Sequence, residues 1–293
     1  MPESERLHTV FILLAVLALV PVAASRDVPR DRSVPAGWSP DMSAARDYAK
    51  GRDGEISFAV RTRDREWGYR QREEVNSASV FKAMLLVAYL NQPDVRARAL
   101  DDADRALLGP MIRYSDNDTA TQVRDRLGAA PIERLARRAG MRDFRLAVPW
   151  GLSQVSASDQ SRYFLELPEL VARRHRAYAL ELLAGVVAEQ RWGIARVRPG
   201  GWRLYFKGGW GAGTGAVSHQ VALLERAGQR VSAAIMTNGS PSHEYSQATL
   251  RGVALRLVRG LEDVAPPTRE PSAGVRLARA LERAAAAPAP APH

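Results

Sequence analysis

The order of hydrophobic periods along the chain limits its fold more than any other feature. Between Ala83 and Ala195 apolar residues recur at helical spacing with hardly any strand signal, and strand-like alternation is confined to the two flanks. On the early flank Ile56, Phe58, Val60 and Thr62 alternate with polar neighbours, which predicts a half-buried strand, and EWGYRQREEV predicts its hairpin partner. On the late flank WRLYFK, AVSHQVALLE and RVSAAIMT predict three short strands separated by glycine-rich turns. A short helix within SAARDYAKGR opens the fold near Met42, and further helices are predicted over 83–90, 102–113, 119–127, 132–139, 157–165 and 175–188. A last helix over 249–262 carries Leu250, Val253, Ala254, Leu257, Val258 and Leu261 on one face and needs a flat apolar partner. These patterns predict an α/β sandwich: a mostly antiparallel sheet flanked by helices, with a helical insertion lobe and the site between sheet and lobe.

The chain has no cysteine, so neither a disulfide framework nor a thiolate metal site can support it, and an apolar content of 46% must supply the core. Residues 1–24 read as a secretory signal peptide, in which an apolar run from Val10 to Val20 is followed by Pro21 and the small-residue site Val22-Ala23-Ala24. Export to a secreted or periplasmic location is the expectation. The stretch 25–41 is rich in Pro and charge and reads as a linker, 42–264 as one domain, and 265–293 as a Pro/Ala/Arg-rich tail that is partly disordered. Removing one Arg and two Glu with the signal from 42 basic and 32 acidic side chains leaves a formal charge of about +11. That charge predicts weak attraction to anionic envelope polymers. No stripe of Arg interleaved with aromatics appears, so nucleic acid is not an expected partner, and the chain is expected to act as a monomer.

Only Lys50, Lys82 and Lys207 are lysine among the 42 basic residues. The choice matters because Arg cannot be deprotonated in a protein, whereas a buried Lys can lose its proton near neutral pH. Lys82 opens the apolar stretch KAMLLVAYL three residues after Ser79, which puts both side chains on one helical face at the positive end of the helix dipole. Phe81, Met84, Leu85 and Leu86 surround Lys82 with apolar surface, and a Ser beside a neutral amine is a nucleophile for acyl transfer. Alone, the pattern also fits a helix-capping Ser and a Lys that reaches out to water. Ser115-Asp116-Asn117 lies between two predicted helices, where it could equally be a capping turn. Lys207 ends a predicted strand and is followed by Gly208 and Gly209.

In that order, on helix, loop and strand, S-x-x-K, S-D-N and K-x-G resemble the three motifs of class A β-lactamases and penicillin-binding proteins. The resemblance spans nearly all of 42–264 and implies a β-lactamase-like serine hydrolase with no cofactor, acting on a β-lactam or a peptidoglycan-type D-alanyl amide. It implies that Ser79 attacks the carbonyl, Lys82 takes its proton and Ser115 passes a proton to the leaving nitrogen. Asn117 would hold the substrate amide and the lysines. Lys207 would hold a substrate carboxylate and tune Ser115. Gly209 and Trp210 would line the substrate site, with the oxyanion held by the N–H groups of Ser79 and Trp210. Asp116 reads as structural.

Two departures from the family pattern stand out. No acidic residue lies between Asp143 and Asp159, where a water-activating glutamate would be expected, and Glu166 and Glu169 read as part of an exposed helix end. Gly208 stands where the family usually has a hydroxyl for the substrate carboxylate, and Trp210 nearby reads either as an aromatic wall or as core packing under its strand. Both departures predict an acyl-enzyme that forms but is released slowly, with a non-catalytic wall-binding module as the alternative. His175, His219 and His243 lack metal-ligand spacing and read as surface or strand residues.

Overall fold

Strand pairing ties the two flanks of the chain together. The computed structural model describes residues 37–211 and 216–263. Helix α1 (Met42–Lys50) leads into β1 (Glu55–Arg61), β2 (Glu66–Tyr69) and the two-residue β3 (Val75–Asn76). A 3₁₀ turn over Ala78–Phe81 opens α2 (Lys82–Leu90), followed by α3 (Pro93–Arg96), α4 (Asp102–Arg113), α5 (Asn117–Leu127), α6 (Ala129–Arg138), β4 (Gln154–Val155), α7 (Ala157–Leu170) and α8 (Arg176–Ala184). The chain then returns as β5 (Arg203–Gly211), β6 (Val217–Arg226), β7 (Gln229–Asn238) and α9 (His243–Leu257). The main sheet is antiparallel throughout, in the order β2-β1-β7-β6-β5. The register Phe58↔Ile235 locks the early flank onto the late one, and the helical stretch between them becomes an insertion.

The strand period of two sorts side chains into two cores. Phe58, Val60, Leu204, Phe206, Ala233 and Ile235 face α9 and α1, while Ala59, Tyr205, Val221, Leu223, Ala234 and Met236 face the helical lobe. Against the first face lie Leu250, Val253, Ala254, Leu257, Val258 and Leu261, all buried, the leucines and valines each contributing roughly 1.5–3 kcal/mol on leaving water. The closing helix begins at His243, earlier than its apolar stripe indicates, because Ser242 caps it by accepting the Tyr245 N–H at 3.0 Å.

Two expectations are corrected. β1 is buried on both faces and is not half-buried, since β2 and β7 flank it and α7 covers the side opposite α9. The last residues read as linker are docked: Trp38 donates its indole N–H to Arg259 O at 3.0 Å and meets Trp67 edge-on, and Asp41 caps α1 through the Ala44 N–H. The expected signal peptide over 1–24, residues 25–36 of the expected linker and the expected tail over 265–293 lie outside the described residues.

Candidate active site

Helix α2 is buried along all nine residues, as its uniformly apolar sequence requires, with α4, α5 and α6 around it. Its first residue is the exception in kind. Lys82 is 0% exposed, so it does not reach water, and its amine must find partners inside the protein. The preceding turn places Ser79 half-exposed among buried neighbours, with the Lys82 N–H donating to Ser79 O. Ala78 enters that turn at φ +42°, a left-handed conformation that costs a non-glycine residue strain and is frequent at functional sites.

The S-D-N motif supplies the partners of Lys82. Asp116 accepts the Thr119 N–H at 2.8 Å and the Thr119 hydroxyl at 2.7 Å, capping α5, which is the structural role read from sequence. Ser115 just before it adopts φ +58°, and both its carbonyl and its hydroxyl meet Lys82. Lys82 Nζ donates to Ser115 O, to Ser115 Oγ at 3.2 Å and to Asn117 Oδ1 at 2.7 Å. Burial pushes the Lys82 pKa down to about 7, against an opposing pull from the Asp116 carboxylate.

On the edge strand β5, Lys207 Nζ donates to Ser115 Oγ at 2.9 Å and to Gly208 O at 2.8 Å. Ser115 Oγ therefore bridges the two buried lysines. Burial, and next the charge of Lys82, hold the Lys207 amine well below the ordinary lysine range. Gly209 is required by close approach: a Cβ there would stand 2.7 Å from Val80 N and 2.8 Å from Ser79 N, so only glycine lets β5 lie against the Ser79 turn. A side chain at Gly208 would instead meet the Trp192 ring at 3.3 Å. Trp210 follows the same alternation, and its ring packs with Trp192 and stacks on His243 at 5.5 Å, on the α9 face. The side chain takes the core-packing role, and Trp210 also stands among the residues that line the cleft.

The structure brings Ser79, Lys82, Ser115, Asn117, Lys207, Gly209 and Trp210 to one place. A cleft of about 300 Å³ lies there, lined by Ser79, Ser115, Asn117, Trp150, Gly151 and the end of β5. Sequence reasoning missed Trp150. Its ring lies parallel to Phe81 at 6.2 Å, its N–H donates to Thr121 Oγ1 at 3.2 Å, and Lys82 Nζ is 5.0 Å from its centroid. The loop carrying it is fixed from both sides: Ser77 N–H donates to Ser153 O at 2.7 Å, and Arg145 and Gln154 exchange backbone bonds. The signal that was available is an aromatic in the turn-rich PWGLS, within the stretch between Asp143 and Asp159 that holds no acidic residue.

No carboxylate lines the cleft among the described residues. Asp143 is held by Arg72 at 2.5 Å and the Ser156 hydroxyl at 2.7 Å, and Asp159 accepts the N–H groups of Arg142 and Asp143. Glu169 is exposed and pairs with Arg230, while Glu166 is half-buried and not fully exposed as read; neither reaches the cleft.

Of the three histidines read as surface or strand residues, His219 lies on strand β6 as read and His243 is part-exposed, while His175 is buried off the sheet. His175 is buried against Val95 O at 3.0 Å. His219, on β6 opposite Gly209, accepts the Thr237 N–H on Nδ1, so its Nε2–H donates to Asn76 O at 2.9 Å and ties the approach to Ser79 onto the sheet. Among the described residues no group of three or more His, Asp or Glu is arranged to hold a metal ion.

The family model described as the beta-lactamase enzyme family matches residues 105–261, more than half of the 293-residue chain. The match includes Ser115, Asn117 and Lys207 and begins after Ser79 and Lys82. No curated protein sequence matches the chain. Among solved structures the fold is similar to a beta-lactamase from Sphaerobacter thermophilus, at 19% identity and a TM-score of 0.65, covering 77% of this chain and 99% of that one. It is similar also to a beta-lactamase from Desulfarculus baarsii, at 24% identity and a TM-score of 0.59, covering 73% and 96%. A class A beta-lactamase of the last common ancestor of Gram-negative bacteria matches at 20% identity and a TM-score of 0.63, covering 75% and 98%. With a family match over more than half of its length and a fold similar to that of these enzymes, the chain belongs to the beta-lactamase enzyme family.

Proposed function

We propose that this chain is an exported serine hydrolase that takes the acyl group of a β-lactam or D-alanyl-type amide onto Ser79 and releases it slowly. The observation that carries the reading is the double engagement of Ser115 Oγ by Lys82 at 3.2 Å and Lys207 at 2.9 Å, in the cleft that Ser79 lines. A hydroxyl between two buried amines is a proton relay, and a serine beside a Lys near neutrality is an activated nucleophile.

In this reading the Ser79 hydroxyl attacks the carbonyl carbon as its proton passes to the neutral Lys82 amine. The tetrahedral oxyanion is held by the N–H groups of Ser79 and Trp210. As the carbonyl–nitrogen bond breaks, Ser115 delivers a proton to the leaving nitrogen and is recharged from Lys82, with Lys207 holding its orientation. Asn117 keeps Lys82 aimed and meets the substrate amide. Release by water is slow because no described cleft residue is a carboxylate that could activate it, and Trp150 covers the amine. The signal-peptide-like pattern of residues 1–24 supports export, and the positive net charge, about +11 without that segment, favours retention near anionic envelope polymers.

The test is labelling by a fluorophosphonate, which reports any activated serine. The full chain is expected to gain one adduct on Ser79, and Ser79→Ala to gain none. Equal labelling of both, or of neither, would contradict the reading and favour a wall-binding module that has lost turnover.

A further inference from the structure

We infer that a groove between α2 and α6, lined by other residues than the Ser79 cleft, is a second binding site that takes the phosphodiester chain of an anionic polymer. The inference does not depend on the Ser79 acyl-enzyme reading.

Helix α6 is anchored to the lobe by Ile132, Leu135 and Ala136, which are buried, and α2 is among the helices it packs on. Beside that anchor Pro131, Arg134, Leu135 and Arg138 stand at i, i+3, i+4 and i+7, so they share one helical face. That face lines a cavity of about 460 Å³, larger than the cleft of about 300 Å³ beside Ser79. Across from it lie Ala88 near the end of α2 and Pro93 at the start of α3. The hollow is therefore apolar, and the guanidinium groups of Arg134, Arg137 and Arg138 edge it.

The three arginines differ in how they are held. Arg138 donates to Leu170 O at the end of α7, where Asn91 also donates at 2.8 Å, so its guanidinium is fixed in place while further N–H donors stay available. Arg134 and Arg137 are exposed and have no hydrogen-bond or ion-pair partner among the described residues. The acids nearest in sequence, Asp94 and Glu133, are exposed and do not line the cavity. A basic last turn complements the helix dipole, which accounts for Arg137 and Arg138. It does not account for Arg134, one turn earlier, or for the apolar hollow that all three border.

A guanidinium fork matches phosphate oxygens in pairs. Arg134 and Arg138 are one turn apart, about 6 Å along the helix axis, so a chain with regularly spaced phosphates meets the row with successive charges. A small lone anion would meet one fork only. The apolar hollow takes up the carbon links between phosphates. A bilayer fits less well, because the arginines border a concavity, and the exposed large apolar side chains among the described residues, Tyr114, Val148 and Leu255, do not line it. The positive charge of the whole molecule brings a polyanion near, and the groove gives it a defined place.

The test is binding of a fluorescent glycerol phosphate hexamer to the full chain, read by anisotropy at about 100 mM salt, where charges more than about 10 Å apart are largely screened. Arg134→Gln/Arg137→Gln is expected to weaken binding about tenfold or more. Arg196→Gln/Arg251→Gln removes the same charge from exposed positions on the α9 side of the sheet, and is expected to change binding by less than about twofold. Thermal melts followed by circular dichroism verify that both variants fold. Equal weakening by the two variants would assign binding to net charge and overturn the site, and so would failure of the native chain to bind the hexamer. Binding to phosphatidylglycerol vesicles but not to the hexamer, lost in Arg134→Gln/Arg137→Gln, would overturn it in favour of a lipid surface.

Discussion

Lys82 Nζ lies 5.0 Å from the centroid of the Trp150 ring, so the buried amine is roofed by an indole that sequence reasoning did not assign to the site. A Trp face attracts a cation, but less strongly than the water it displaces solvates an ammonium, and burial is the dominant influence on Lys82.

The pH dependence follows from that balance. Acylation requires the neutral amine, and burial holds the Lys82 pKa down to about 7. The acylation rate is therefore expected to climb with pH up to about 7 and level off above it. In Trp150→Ala water reaches the amine, its pKa rises, and the climbing limb moves to higher pH, with a lower rate at pH 7. Rates of adduct formation from pH 5 to 10 check this, and an unmoved limb would show that Trp150 is not the cover that matters.

Removing the hydroxyl that links the two lysines tests the relay. Ser115→Ala is expected to lower acylation by roughly 10²–10⁴-fold, the usual worth of a positioned acid–base group. Lys82→Arg is expected to fail as severely, because a guanidinium keeps its proton. Measured adduct rates for both variants, with circular dichroism to verify folding, give the answer.

Gly209→Ala is expected to slow acylation and to destabilise the protein by about 1–3 kcal/mol, since the new methyl group would press on Ser79 N and Val80 N. Gly208→Ala is expected to be milder, because its methyl group meets only the Trp192 ring at 3.3 Å. Urea midpoints and acylation rates of the two variants should separate in that order.

His219 predicts an acid weakness. Burial lowers its pKa from the ordinary 6.5 to about 4 in the folded protein, so the unfolded chain binds the extra proton first as pH falls. Its stabilising contribution is present above pH 6.5 and is lost as pH falls toward 4, to the extent of about 3 kcal/mol. Urea unfolding at pH 7 and pH 4.5 should show a steeper loss for the native sequence than for His219→Gln.

Residues whose chemistry and local spacing suffice were legible in the sequence. Ser79 and Lys82 share a helical turn, and Ser115 to Asn117 form a capping turn whatever surrounds them. The flanking strands and the apolar stripe of α9 were legible for the same local reason. What escaped depends on contacts between distant segments. Trp150 reaches Lys82 because its loop docks on Ser77 and Phe81. The reason for Gly209 appears only once β5 lies on the Ser79 turn, and the tying role of His219 appears only once Asn76 and Thr237, far away in sequence, occupy both of its ring nitrogens. Trp210 was readable either way until strand alternation fixed which face its ring takes.

The measurement that bears most directly on the central claim is a pulse and chase with a fluorescent penicillin, following the intact mass of the protein over time with Ser79→Ala beside it. The account predicts one adduct on Ser79 that outlasts removal of free reagent by hours, and none on the variant. An adduct that decays within seconds, or an equal adduct on Ser79→Ala, would contradict it.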